Sequence, residues 1–439
     1  MLFITRIRLV DVRCFPGETV IDVPRPSEGK PSWTLILGDN GTGKTSLLRS
    51  IAMCLCDETG ASGLLTELSG PFIHHGCNQA VIELHLQSDE GTEYTITTVL
   101  SKTDSGTEEV KQRTKPSNSF PRTKLFACGY GAAFGTIGSE AYEKYRLIDA
   151  VYTLFNYAAR LQNPENALFR ISHAGIPLDG LLERINRVLM LPTGSTRLDS
   201  SGLSVNGPWG DFVPVGALGD GYAAVIAWIC DLLGWSLLAT RNAFDTSIRG
   251  IVLLDEIEQH LHPSWQQRIV GLLADDFPGV QFLATTHAPL AAIGSAVLPR
   301  DCCKLVLLQH GWDGVTIRSG LEPPRGSRAD QVLTSYLFGL PSTSSDDVIQ
   351  DIQRYALLRR LDSPDDHTRN EIEMLRQRLT DTLGTPETEL QRTVETAVRE
   401  TLTRMAAEGT IETTPDHDAL SFEIRQQLRD LFGSKGHRA

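Results

Sequence analysis

The sequence predicts an α/β fold: a mixed, largely parallel sheet flanked by helices, an antiparallel β-subdomain, a helical insertion and a C-terminal helical appendage. Three observations carry this. "TLILG", "IVLLDE" and "VQFLATTH" are short apolar runs that stop abruptly at glycine or polar residues, as buried strands do. The first runs into a glycine-rich turn and then a helix with Leu47, Leu48, Ile51 and Leu55 on one face. Beyond residue 341, three stretches repeat apolar residues at helical spacing, with Ser363-Pro364-Asp365 and Thr385-Pro386-Glu387 between them.

With 439 residues the chain can bury a large core. The expected organisation is a head over 1–340 and an appendage over 341–439. Within the head, 1–138 hold the glycine-rich turn and β-subdomain, about 139–190 a helical insertion, and 191–340 a second lobe. The net charge of −13 argues against a protein that coats nucleic acid non-specifically. Arg6 and Arg8 interrupt the apolar N-terminus, unlike a signal peptide. The eight cysteines form no CxxC pair and no metal-site spacing, so reduced thiols and a cytoplasmic setting are expected.

Gly38 to Thr45, "GDNGTGKT", fits G-x-x-x-x-G-K-[ST] in full. Gly38, Gly41 and Gly43 let backbone N–H groups curl around phosphate oxygens without Cβ clashes, and the following helix turns its positive end to the same anion. Asp39, Asn40, Thr42 and Ser46 complete the expected nucleotide-binding stretch. Lys44 is expected to reach the β- and γ-phosphates and Thr45 to offer its hydroxyl to Mg²⁺. Such a loop needs a second acidic site. Ile251–Leu254 form an apolar strand ended by Asp255 and Glu256. Ligands bind at the carboxyl ends of parallel strands, so Asp255 is expected in the Mg²⁺ shell and Glu256 on the attacking water. The third strand ends in Thr285, Thr286 and His287, which places the histidine for a hydrogen bond to the γ-phosphate or its water.

The order of "GDNGTGKT", "LGDG", "LLDE" and "TTH" resembles the ABC-type ATPases, and within them the SMC/RecF-like branch. The resemblance spans about residues 1–340. More narrowly, "LHPSWQQRI" and the lack of a coiled coil look like the bacterial AAA-family ATPases of anti-phage operons, such as Septu-type and retron-linked subunits. It implies that Leu218, Gly219, Asp220 and Gly221 are the signature turn, which acts on a second subunit's ATP, and that His287 is the switch histidine. His260 and His262 stand where the family's D-loop makes dimer contacts; a His-x-His metal site lacks further ligands. Arg13 and Phe15 stand near the nucleotide by the same resemblance. The signature departs from the family in having Gly219 in place of a serine, with Ala223 and Ala224 where a basic residue is usual. Slow turnover or a clamp-like use of ATP is the expected consequence.

"LGDGYAAVIAWICDLLGW" is apolar enough for a membrane span, but Asp231 lies inside it and a buried core helix is expected. Residues 80–100 read as a hairpin and 192–210 as a turn-rich link with two short strands. The amphipathic "YRLIDAVYTLFNYAARL" reads as a helix. Gln79 is either a Q-loop glutamine or an exposed amide. The glycines of 123–138 either approach the nucleotide or form a plain loop. "SKGHRA" is expected to be disordered. No Asp-x-Asp follows an apolar strand after His287, and His74-His75 lack the HNH pattern, so no nuclease centre is expected.

Two function classes follow. One is an ATP-hydrolysing subunit that forms a homodimer or higher even oligomer around ATP. It would regulate an effector protein, a nuclease in bacterial anti-phage defence, away from any membrane. The other is a RecF-like ATPase that binds DNA. A transporter's nucleotide-binding subunit fits least.

Overall fold

In the computed structural model β1 (Leu2–Val12), β2 (Phe15–Asp22) and β3 (Ser32–Gly38) lead into α1 (Lys44–Leu55) and α2 (Glu58–Thr66). The antiparallel strands β4 (Gln79–Ser88), β5 (Glu93–Lys102) and β6 (Glu108–Lys115) follow, then β7 (Ala127–Tyr130). Next come α3 (Leu147–Val151), α4 (Pro164–His173), α5 (Asp179–Val188), β8 (Thr196–Asp199), β9 (Gly202–Asn206) and β10 (Phe212–Pro214). The second lobe runs α6 (Asp220–Thr240), β11 (Gly250–Leu254), α7 (Pro263–Gln266), α8 (Ile269–Asp276), β12 (Val280–Thr286) and α9 (Pro289–Gly294). It closes with β13 (Cys303–Gly311), β14 (Gly314–Leu321) and α10 (Ala329–Thr334). The second unit holds α11 (Asp346–Leu358) and α12 (Asp366–Leu383). The structure describes residues 1–383 except 27–29, 118–119, 133–137, 139–141, 241–246, 313, 341 and 359–364. Chain contacts separate Met1–Pro341 from Ser342–Ala439. The third helical stretch read in the tail, and "SKGHRA", lie outside the described residues.

The central sheet has the order β14-β13-β3-β12-β11-β7. All its neighbours are parallel except β14. It is covered on both faces, and the strand alternation sorts the side chains. Leu35, Leu37, Val252, Leu254, Phe282 and Ala284 enter one apolar cluster with α6. Ile36, Ile251, Leu253, Leu283 and Val306 enter the other with α1 and the antiparallel sheet. Burial on both faces is why these strands read as unbroken apolar runs. The β12 strand lies between β3 and β11, with Thr286 opposite Leu37 and Ala284 opposite Leu254. The carboxyl ends of the three strands therefore stand side by side.

The antiparallel sheet, β2-β1-β4-β5-β6, contains the expected hairpin, β4 and β5, and three strands more. The link over 192–210 is three-stranded with β10, in the order β10-β9-β8. Two local expectations are corrected. The stretch 145–161 is no single helix: it holds the five-residue α3 and a 3-10 turn over Tyr152–Leu154. The turn is drawn out of helical geometry by bonds to its surroundings. Thr153 Oγ1 donates to Gly129 O at 2.7 Å and Arg49 Nε to Leu154 O at 2.6 Å. Gly131 belongs to this packing, since a Cβ there would strike the Thr153 carbonyl; the glycine-rich stretch beyond it falls mostly outside the described residues. Between β11 and β12 the chain is expected to form one helix, as a crossover between parallel strands does; it forms two short ones, α7 and α8.

The α6 helix is buried from Ala224 to Leu237. It is the one described helix long and apolar enough to cross a membrane, and 78% of that window is packed inside the protein. Its Asp231 is 2% exposed. The carboxylate accepts from Tyr130 Oη at 3.0 Å and Gln162 N at 3.0 Å. Burial nevertheless raises its pKa to about 6. An acid whose folded pKa lies above its unfolded value favours folding while protonated. Its contribution is therefore full below about pH 4 and lost as pH rises through about 6. Asp231→Asn should flatten the fall in stability over that window, measured by urea unfolding at each pH; an unchanged pH slope would contradict it.

Candidate nucleotide site

The glycine-rich turn leaves β3 and winds back into α1. Gly41 and Gly43 hold φ of 81° and 86°, a region that other residues enter at a cost. A Cβ at Gly38 would come within 2.6 Å of Leu308 O and of Thr42 Oγ1. Asp39 organises the loop through its carbonyl, which accepts from Thr42 Oγ1 at 2.7 Å and Lys44 Nζ at 3.0 Å. Lys44 Nζ also donates to Gly38 O at 2.7 Å. Burial lowers the Lys44 pKa, opposed by Glu256, Glu258, Asp255 and Asp39. An anion arriving at this ammonium would restore favourable charge pairing.

The acidic strand end closes on the same turn. Thr45 Oγ1 donates to Asp255 Oδ2 at 2.6 Å, although 210 residues separate them. Thr285 Oγ1 donates to Asp255 Oδ1 at 2.7 Å and accepts the Glu256 N–H at 2.7 Å. This tie holds Glu256 in the left-handed region, φ 53°, where strain is commonly found at functional sites. The Thr45 hydroxyl and Asp255 carboxylate form an all-oxygen donor set suited to Mg²⁺, which would take its remaining ligands from water and phosphate. When bound it would supply positive charge to phosphate oxygens.

Arg13, Asn40, Gly41, Gly43, Lys44, Thr45, Ser46 and Glu256 line one open cleft of about 510 Å³. Gly38, Asp39 and Thr42 lie behind that surface and shape the loop. Phe15 is fully buried and backs Gly43, so it supports the loop without facing the cleft. Arg13 Nη2 donates to Ser69 O at 3.2 Å, and its guanidinium lies 5.5 Å from the Phe72 ring centroid. Sequence reasoning missed the rest of that wall: Cys14, Pro71, Ile73 and His75 also line the cleft. Glu108 fixes this segment by accepting the Phe72 and Ile73 N–H groups at 2.8 and 2.9 Å. Gln79 is exposed at the start of β4, opposite Ser101, and is not among the residues lining the cleft.

The residues expected to form the signature turn lie elsewhere. Gly219, Asp220 and Gly221 share a separate cavity of about 530 Å³ with His260, His262, Tyr222 and Trp265. Leu218 packs against the apolar core beneath. The Gly221 α-position abuts His260 O, where a Cβ would come within 2.5 Å, so the two loops are fitted together. His260 holds φ 62°. His262 caps α7 through Nδ1, which takes the Ser264 N–H at 3.3 Å. No group of three or more metal-ligating side chains occurs among the described residues. His287 follows β12, half exposed, and is not among the residues lining the cleft; its ring pairs with Glu258, a residue not singled out from the sequence.

The chain is similar to several known proteins. Residues 6–124 match a family model described as "AAA domain", and 155–293 match "AAA domain, putative AbiEii toxin, Type IV TA system". The Septu protein PtuA of Bacillus mycoides is 29% identical over 385 residues, 86% of this chain and 50% of that protein. The "Retron Ec83 probable ATPase" of Escherichia coli is 42% identical over 73 residues, 16% of this chain and 14% of that protein. The chain spans half or less of the length of these relatives. An Smc head solved with the C-winged helix domain of ScpA superposes with a TM-score of 0.49 at 15% identity, covering 73% of this chain and 98% of that one.

Proposed function

We propose that this chain, which belongs with the AAA-domain P-loop ATPases related to Septu PtuA and the retron ATPases, hydrolyses ATP between two copies of itself. One observation carries the reading. The cleft built on Lys44, Thr45 and Glu256 and the cavity built on the signature turn are separate within one head. If the signature turn serves an ATP site, it serves one held by a second copy. Each copy would contribute its P-loop and acidic strand end to one site and Gly219–Gly221 with His260 and His262 to the other.

Within a site, the loop N–H groups and Lys44 bind the phosphates. Thr45 and Asp255 hold Mg²⁺. Glu256 accepts a proton from the attacking water, and His287 positions that water or the γ-phosphate. The likeness to Septu and retron proteins supports a defence role in which the ATP state governs a nuclease effector through the appendage. Co-expression of the full chain with the product of the adjacent gene tests this. Retention that depends on Mg-ATP and is lost in Lys44→Ala is expected; retention indifferent to both would overturn the regulatory link.

Gly219 gives a second test. It holds no positive φ, and nothing lies within 4 Å of where its Cβ would be. Gly219→Ser should therefore fold normally. Its hydroxyl adds one hydrogen bond at each of the two sites, each worth roughly 0.5–1.5 kcal/mol, so the ATP-dependent dimer should tighten about five- to 150-fold. Analytical ultracentrifugation over a concentration series measures this, and unchanged or weaker association would show that Gly219 does not face the second nucleotide.

A further inference from the structure

The sequence "DEIE" carries a carboxylate two residues beyond Glu256, and the fold turns it away from the cleft wall toward β12. Glu258 Oε1 accepts the His287 backbone N–H at 2.6 Å, and the His287 Nδ1 lies 2.8 Å from the same oxygen. One carboxylate oxygen therefore meets both the chain and the ring just beyond β12. The Glu258 side chain is 4% exposed, and its Oε2 is buried with no hydrogen-bond partner among the described residues. Burying a carboxylate with one oxygen unsatisfied is costly. Its charge also reaches Lys44 at the phosphate loop.

We infer that Glu258 is the positioning residue for His287, holding its Nδ1 protonated and leaving Nε2 unprotonated on a half-exposed ring, outside the cleft lining, for a phosphate or water bound at the carboxyl ends of β3 and β12. This rests on the ATPase reading above. An ionised carboxylate can only accept, so the proton of the neutral imidazole lies on Nδ1 and the lone pair on Nε2. An orienting carboxylate sets the tautomer of a histidine in the same way in hydrolytic triads. No atom of Glu258 meets the substrate.

Two readouts test the pair on the full chain. The first needs no activity. Long-range ¹H–¹⁵N NMR of ¹⁵N-histidine-labelled protein, with His287 assigned through His287→Gln, should show a protonated Nδ1 and an unprotonated Nε2. Glu258→Gln should shift that balance. An unprotonated Nδ1 in the wild type, or the same tautomer balance in Glu258→Gln, overturns the inference whatever the turnover.

The second readout is kinetic. Glu258→Gln should lower kcat on the order of 10²-fold with ATP affinity unchanged, and Glu258→Asp should recover part of it. Adding Glu258→Gln to His287→Ala should cost little more, because the acid acts through the ring. Multiplicative losses, or loss of ATP affinity alone, overturn the positioning role. Absence of wild-type turnover overturns the ATPase reading instead, and the NMR result still decides whether the acid sets the ring.

Discussion

Glu256→Gln is expected to retain Mg-ATP with near-normal affinity and to lose turnover by on the order of 10²–10⁴-fold. The two side chains have the same length and branching, so the left-handed backbone at φ 53° and the Thr285 tie to the residue's N–H should both survive. What changes is chemical. A carboxylate accepts a proton from water, whereas a neutral amide does not. Asp255 offers a contrasting case, because its two oxygens receive the Thr45 and Thr285 hydroxyls. Asp255→Asn would replace one acceptor with a donor and disturb the site itself, so it should weaken Mg-ATP binding as well as turnover. Equilibrium binding of a fluorescent ATP analogue beside a phosphate-release assay separates these effects. A Glu256→Gln protein with wild-type turnover would remove Glu256 from the chemistry.

The largest expected loss of stability comes from Gln281→Leu. Gln281 is fully buried in β12. Its side chain joins the central sheet to the antiparallel sheet. Gln281 Oε1 accepts the Ile4 N–H at 2.8 Å, while its Nε2 donates to Ile4 O at 2.7 Å and Pro24 O at 2.6 Å. Ile4 needs these bonds, because β2 pairs with β1 only from Arg6 onward. Leucine fills a similar volume but leaves buried backbone groups unsatisfied, at about 1–3 kcal/mol each. A total loss of roughly 2–5 kcal/mol is expected in urea unfolding monitored by tryptophan fluorescence. A loss under about 1 kcal/mol would mean that the sheets are joined by apolar packing alone.

Local chemistry made the phosphate loop and the acidic strand end legible in the sequence. The glycines, Lys44 and Thr45 are contiguous, and Asp255 and Glu256 follow a strand buried on both faces. The adjacency of these strands is a tertiary property, since β12, the last of the three in the chain, lies between β3 and β11. What the sequence did not disclose depends on partners far along the chain. The run from Tyr145 to Leu161 has helical periodicity, yet bonds to Gly129 and from Arg49 override it. His75 enters the cleft because Glu108, more than thirty residues away, pins the segment before it. Glu258 looked like one acid among several until β12 brought His287 beside it. The second acid in "DEIE" was the available signal. The division into two cavities is likewise tertiary, since the Gly219–Gly221 turn and the His260–His262 segment are joined by the fit of Gly221 against His260 and by the Tyr222 and Trp265 rings.

The central claim is that ATP joins two copies, each lending its signature cavity to the other's phosphate cleft. Sedimentation velocity of the full chain, wild type and Glu256→Gln, with and without Mg-ATP, tests it most directly. A species of twice the mass that appears with Mg-ATP and persists in Glu256→Gln is the predicted result. Identical sedimentation with and without nucleotide in both proteins, at ATP concentrations that saturate the cleft, would contradict it.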